Sequence, residues 1–120
     1  MNFEQIKHIM DITDDPAMRL EILMDIGREL PNAPSGAACT EITGCASFVQ
    51  ICRSGNNFYG VADSALVRGI VAIFISMVNG KSPDEIKKMN LEKMFADLKI
   101  NVGAARLNGV NSMIRFFNNL

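Results

Sequence analysis

Residues that favour extended backbone are confined to one block of this chain. From Ala38 to about Gly60 stand Thr40, Ile42, Phe48, Val49, Ile51, Phe58 and Tyr59, with Val61 just beyond. They are interrupted by Thr43-Gly44 and by Ser54-Gly55-Asn56-Asn57. β-Branched and aromatic side chains suit a pleated surface, and clusters of Gly, Asn and Ser mark turns. Three short antiparallel strands are the simplest reading. In the middle one, Phe48 and Gln50 alternate weakly with Val49 and Ile51, so both faces are expected to be partly covered and a central place is expected. Strands gathered into one block between helical segments predict an α+β domain, with helices packed on one face of a small antiparallel sheet and no alternating parallel fold.

The flanking segments carry helical periodicity. Phe3, Ile6, Ile9 and Met10 recur at helical spacing, and Asp15-Pro16 supplies a cap and first position for a second helix carrying Leu20, Leu23, Met24 and Ile26. That helix is expected to end between Gly27 and Leu30, because Pro31 disfavours helical geometry in the residue before it. A loop from Pro31 to Ala37 follows. Asp63 is read as the cap of a long helix from Ser64 to Val78, with Leu66, Ile70, Ile73, Phe74 and Met77 on its apolar face. Ser82-Pro83-Asp84-Glu85 starts a short helix to about Met89, Asn90 caps a stretch to about Leu98, and a last helix follows Gly103.

With 120 residues, 48% of them hydrophobic and 21% charged, the chain is long enough to bury a core and is read as a single domain, 1–120. A formal net charge of -1, with no run of Lys and Arg, gives no field for condensing on phosphates, so nucleic acid is not an expected partner. The longest apolar stretch, Gly69 to Val78, is about half of the roughly 20 residues a bilayer requires and is interrupted by Ser76. It reads as a core helix, and no membrane association is expected. The segment Met1 to Lys7 lacks the basic start and apolar run of a secretory signal, so a cytoplasmic location is expected.

Cysteine chemistry is the main functional signal. The three cysteines, Cys39, Cys45 and Cys52, are odd in number, which argues against a secreted disulfide framework and leaves at least one thiol free. Cys45 follows Gly44 in a predicted turn between strands, where a thiol can be presented to a partner. Gly44 removes a side chain beside the sulfur, Ala46 is small, and Ser47 offers a hydroxyl. A small hydrophobe at the start of a strand fits the same residues, and these local features leave both readings open. The spacings of Cys39 and Cys52 from Cys45 do not match close-spaced zinc motifs and His8 lies far off, so no metal site is expected.

The run Ile42-Thr43-Gly44-Cys45-Ala46-Ser47-Phe48-Val49 resembles the cysteine loop of the SufE family, sulfur acceptors that assist cysteine desulfurases in iron-sulfur cluster assembly. Asp25 to Pro31 is similar to the family's helix end before that loop, and Asp63 to Gly69 to the start of its long central helix. Asn79 to Ile86 and Arg106 to Met113 resemble the turn and helix that follow and the Arg-containing final helix. The resemblance spans nearly the whole chain, in order and at compatible spacing.

The resemblance implies a SufE/IscU-like fold and a cycle in which Cys45 takes persulfide sulfur from a SufS-like or CsdA-like cysteine desulfurase and passes it to an Fe-S scaffold or another acceptor. The chain would then be a carrier and activator, with no cofactor of its own; pyridoxal phosphate would belong to the partner. Arg106 matches the family's arginine before the last helix, where it would steady a thiolate, a persulfide or a partner carboxylate. Chemically it is equally a solvated helix-end charge, and Asp63 is a helix cap before it is an acid-base group. A loop that protects the Cys45 persulfide and opens on docking is expected.

Several features depart from the family pattern. Phe48-Val49-Gln50 stands where a tryptophan is usual, the hairpin Cys52 to Phe58 is short, and Ile100 to Ala105 lacks the usual histidine and Pro-Ser. Cys39 and Cys52 are additions. A Cys39 to Cys45 disulfide across the turn would make a redox switch or thiol-redox protein, and a binding-only adaptor of a desulfurase is the other alternative.

Overall fold

The computed structural model describes residues 1–120. Two helices come first, α1 (Phe3–Asp11) and α2 (Pro16–Gly27), followed by strands β1 (Ala38–Glu41), β2 (Val49–Ser54) and β3 (Asn57–Ala62). Four helices complete the chain: α3 (Ala65–Val78), α4 (Pro83–Lys87), α5 (Leu91–Ala96) and α6 (Ala104–Asn118). The strands form one antiparallel sheet in the order β1-β2-β3, so β2 is central and the fold is α+β, as its segregated strands predict.

Local chemistry explains most boundaries. The side chains of Asn2, Asp15, Ser82 and Asn90 each accept a backbone N–H of the first turn they cap. One cap differs from expectation. The N–H of Asp63 donates to Phe48 O at 3.3 Å, which carries strand-like pairing one residue past β3. The first residue free to cap α3 is therefore Ser64, whose Oγ accepts from Val67 N at 3.4 Å, and the helix begins at Ala65.

Helix α3 is the central pillar. Val67, Ile70, Val71, Ile73, Phe74, Ile75, Met77 and Val78 are all buried, giving an apolar surface around most of its circumference. On one side it meets the inner face of the sheet, where Val49, Ile51, Phe58 and Ala62 are buried. On another, α2 packs so closely that a Cβ on Gly69 would lie 2.1 Å from Leu23 O, and one on Gly27 2.5 Å from Gly69 N. The ring of Phe74 stacks on Phe95 of α5 at 5.1 Å between centroids, and Phe117 of α6 meets Phe58 edge-on at 5.4 Å. The Phe58–Phe117 contact fixes the C-terminal part of α6 near the β2–β3 hairpin, while Gly109 and Ser112, earlier in the same helix, lie under the β1–β2 connection. No helix is long and apolar enough to cross a membrane.

Candidate functional site

The connection from β1 to β2, residues 42–48, is anchored at both ends by buried apolar side chains, Ile42 and Val49, and by Ile42 N–H donating to Val49 O at 2.8 Å. Between those anchors Gly44 takes φ +87°, a conformation that favours glycine. The turn bends over α6 so tightly that a Cβ on Gly44 would lie 2.7 Å from Ser112 Oγ. This bend delivers the next residue, Cys45, onto the face of the helix.

Cys45 is the one free thiol and is partly buried. It sits on Gly109: a Cβ there would be 3.0 Å from Cys45 Sγ and 3.5 Å from its Cα. A glycine in mid-helix is unfavourable by roughly 1 kcal/mol relative to alanine. Its position here is explained by the sulfur seated against it. In the sequence Gly109 stands only as part of a family-like run, and its unfavourable placement is the one local signal of this role.

A cavity of about 220 Å3 opens beside the thiol. Ala46 and Ser47 of the turn, Ser64 and Val67 at the start of α3, and Arg106 and Met113 of α6 contribute to its wall. It is mainly apolar, with two hydroxyls and one guanidinium as its side-chain polar groups. Partial burial pushes the Cys45 thiol up from its ordinary pKa, because desolvation disfavours the thiolate. In this resting arrangement the thiol is held mostly protonated and is a poor nucleophile.

Of the residues nominated from sequence, Cys45, Ser47 and Arg106 meet at this cavity and Gly44 shapes the turn above it. Arg106 lies in the first turn of α6, forms no ion pair, and donates from Nη1 to Val102 O at 3.1 Å. Asp63 is exposed and does not line the cavity; its neighbour Ser64 does. Phe48, at the position where the resemblance leads one to expect tryptophan, is 38% exposed, and Met113, Val67 and Ile70 are part of the apolar wall of the cavity beside the thiol.

The expected alternative pairing of Cys39 with Cys45 is not formed. Cys39 is bonded to Cys52, which faces it directly across the β1–β2 ladder with 4.0 Å between Cα atoms. Because Ile42 and Val49 form a hydrogen-bonded pair, every second partner along the ladder is a non-hydrogen-bonded pair, and Cys39–Cys52 is one of these, where facing side chains come closest. Cys45 lies beyond the end of β1, turned toward α6. A larger hollow of about 410 Å3, between the end of α2 and the edge of β3, is lined by no cysteine or histidine.

Comparison with known proteins identifies relatives in sequence and in fold. The chain is 28% identical to an uncharacterized SufE-like protein of Rhizobium meliloti, over 95% of this chain and 90% of that one. It is also 28% identical to the sulfur acceptor protein CsdE of Escherichia coli, over 76% of this chain and 68% of that protein. The solution structure of a hypothetical protein from Thermus thermophilus shares the fold, with a TM-score of 0.71 and 15% identity, covering 97% of this chain and 90% of that one. The model of the SufE family, the Fe-S metabolism associated domain, matches residues 4–120, and the chain belongs to that family.

Proposed function

We propose that this protein accepts sulfur on Cys45 from a cysteine desulfurase and passes it on for iron-sulfur cluster assembly, stimulating the desulfurase by relieving it of its product. The observation that carries this reading is the placement of the single free thiol on a glycine-shaped turn at the mouth of a small, mainly apolar cavity. Family membership and the name of the Escherichia coli relative support it.

The chemistry is thiol exchange. The Cys45 thiolate attacks the terminal sulfur of a cysteine persulfide on the desulfurase. The new S–S bond forms on Cys45 while the old one breaks, and its electron pair leaves on the desulfurase cysteine as thiolate. One S–S bond replaces another, so no outside oxidant is required, and the proton lost by Cys45 is taken up on the partner's side. Pyridoxal phosphate, which generates the persulfide, belongs to the desulfurase. Burial disfavours the Cys45 thiolate between encounters, and opening of the turn on docking would relieve that desolvation and favour ionisation and attack. Returning to its seat, the persulfide would be shielded from cellular thiols.

Incubation with a pyridoxal-phosphate cysteine desulfurase and cysteine, followed by mass spectrometry of the intact chain and its peptides, tests the proposal. One added sulfur on the Cys45 peptide is expected, with none on Cys45→Ser. Equal sulfur loading of Cys45→Ser, or unchanged stimulation of desulfurase turnover by that variant, would refute it. Retained binding without transfer by the wild-type chain would make it an adaptor.

A further inference from the structure

The Cys39–Cys52 cystine plays no part in the chemistry above, yet its placement is informative. It lies on the sheet face opposite the helices, next to Tyr59, which is the β3 partner of Cys52. The two sulfurs differ in access: Cys39 is exposed on the edge strand, whereas Cys52 on the central strand is 1% exposed. All four residues of β1 are exposed, so this strand contributes no side chain to the core and is held by its ladder to β2 and by the disulfide. The bond spans 13 positions in sequence, and the ring it closes contains the whole Cys45 connection.

We propose that this cystine is a second thiol-exchange site, taking a small dithiol at the Cys39 sulfur, and that its closed form restrains the opening of the Cys45 turn. In the first step a dithiol's thiolate attacks Cys39 Sγ along the S–S axis. A mixed disulfide forms on Cys39, and the electron pair of the broken bond leaves on Cys52 as thiolate. The dithiol's second thiolate then attacks its own sulfur in the mixed disulfide, forms a cyclic disulfide and releases Cys39 as thiolate. The dithiol is oxidised by two electrons, the cystine is reduced by two, and the dithiol's two protons end on Cys39 and Cys52. A monothiol stops at the first step, and buried Cys52 beside the mixed disulfide expels it again.

Reduction leaves β1 attached by its ladder hydrogen bonds and, just past its end, by the buried side chain of Ile42. An edge strand with no buried side chain then peels at little expense, and the Cys45 turn moves with it. Oxidation fixes the near end of the turn to the central strand and removes those open conformations. The cystine thereby adjusts how often Cys45 leaves its seat on Gly109.

The test needs no sulfur transfer, so it stands or falls separately from the acceptor reading. The full chain is prepared oxidised with glutathione disulfide or reduced with dithiothreitol and freed of reagent. The rate of Cys45 alkylation by iodoacetamide is then followed by peptide mapping without further reduction. The expected outcome is a Cys39–Cys52 peptide in the oxidised sample and Cys45 alkylation about fivefold slower than in the reduced one. Brief exposure of the oxidised chain to glutathione with acid quenching should place the adduct on Cys39. The double variant Cys39→Ser/Cys52→Ser should alkylate at the reduced rate in both conditions. If that variant does not fold, the two forms of the wild type give the comparison. Equal Cys45 rates in the two forms, an oxidised pair involving Cys45, or a first adduct on Cys52 would each overturn the proposal.

Discussion

Two connections join neighbouring antiparallel strands of the same sheet, and they are built in opposite ways. The β2–β3 hairpin turns on Gly55-Asn56 alone, with glycine at φ +62° in the first central position, as a two-residue hairpin of primed type requires. Its polar groups are bonded: Arg53 Nε donates to Gly55 O at 2.7 Å and Gly80 N–H to Asn56 O at 2.8 Å. The β1–β2 connection uses residues 42–48, and between its end anchors none of Thr43 to Ser47 makes a hydrogen bond within the chain. What holds it is contact, Gly44 on Ser112 and Cys45 on Gly109. A segment held by packing and not by hydrogen bonds opens at low free energy. The free thiol stands on the connection that lacks hydrogen bonds, and the hydrogen-bonded connection lies at the other end of β2.

The largest effect, away from both connections, is expected at Gly69. A Cβ there would meet Leu23 O at 2.1 Å, and since this neighbour is backbone, α2 as a whole must shift. Gly69→Ala should destabilise the fold by about 2–3 kcal/mol, the overpacking penalty exceeding the gain in helix propensity. Urea denaturation would show this as a lower midpoint. Under native conditions Cys45 alkylation should be unchanged, because the turn rests on α6 and no residue of α2 lines the cavity beside the thiol. A wild-type midpoint would mean that the α2–α3 contact is looser than its geometry indicates.

How much of this is legible in the sequence follows from the range of each interaction. The strand block, both turns and most helix caps depend on residues within a few positions of one another, and the sequence displays them directly. The close α2–α3 packing brings Gly27 against Gly69; in the sequence Gly27 marks only where the second helix is expected to end, because its partner is far along the chain. The cap expected at Asp63 moves by one residue through a bond to Phe48, a tertiary contact that no capping preference encodes. Proximity in sequence matches Cys39 with Cys45, whereas strand register decides that it faces Cys52. Cys45 itself is visible because a family-like run surrounds it, but its seat on Gly109 requires the fold.

The Gly109 seat offers a way to make the mobile connection more mobile. Gly109→Ala would place a Cβ 3.0 Å from Cys45 Sγ, and the turn, lacking hydrogen bonds, gives way before the helix does. Iodoacetamide should alkylate Cys45 about tenfold faster at neutral pH, with stability within about 1 kcal/mol of wild type because alanine favours the helix. Acidity should follow. Burial raises the Cys45 pKa, so in wild type the alkylation rate should rise only at pH above the range of an ordinary thiol, and in Gly109→Ala that midpoint should fall toward it. The same shift has a sign for stability. The folded state favours the neutral thiol, so its contribution is fully present below the unfolded-state pKa and lost as pH rises through the folded value. Wild type should therefore lose stability relative to Cys45→Ser only on the alkaline side. An unchanged alkylation rate and midpoint in Gly109→Ala would show that Gly109 does not seat the sulfur.

The smallest effect, and the sharpest control, lies in the other connection. A Cβ on Gly55 would meet nothing within 4 Å, so Gly55→Ala adds no clash and acts only through its backbone at φ +62°. Holding an alanine in left-handed geometry costs about 1 kcal/mol, which should appear as a small drop in the urea midpoint. Cys45 alkylation should not change, because the hairpin retains its bonds from Arg53 and Gly80 and lies at the opposite end of β2 from the turn. A faster thiol in Gly55→Ala would mean that strain at one end of the central strand reaches the other. The two connections would then be mechanically coupled, and the mobility of the Cys45 turn would belong to the sheet as a whole and not to the missing hydrogen bonds of residues 43–47.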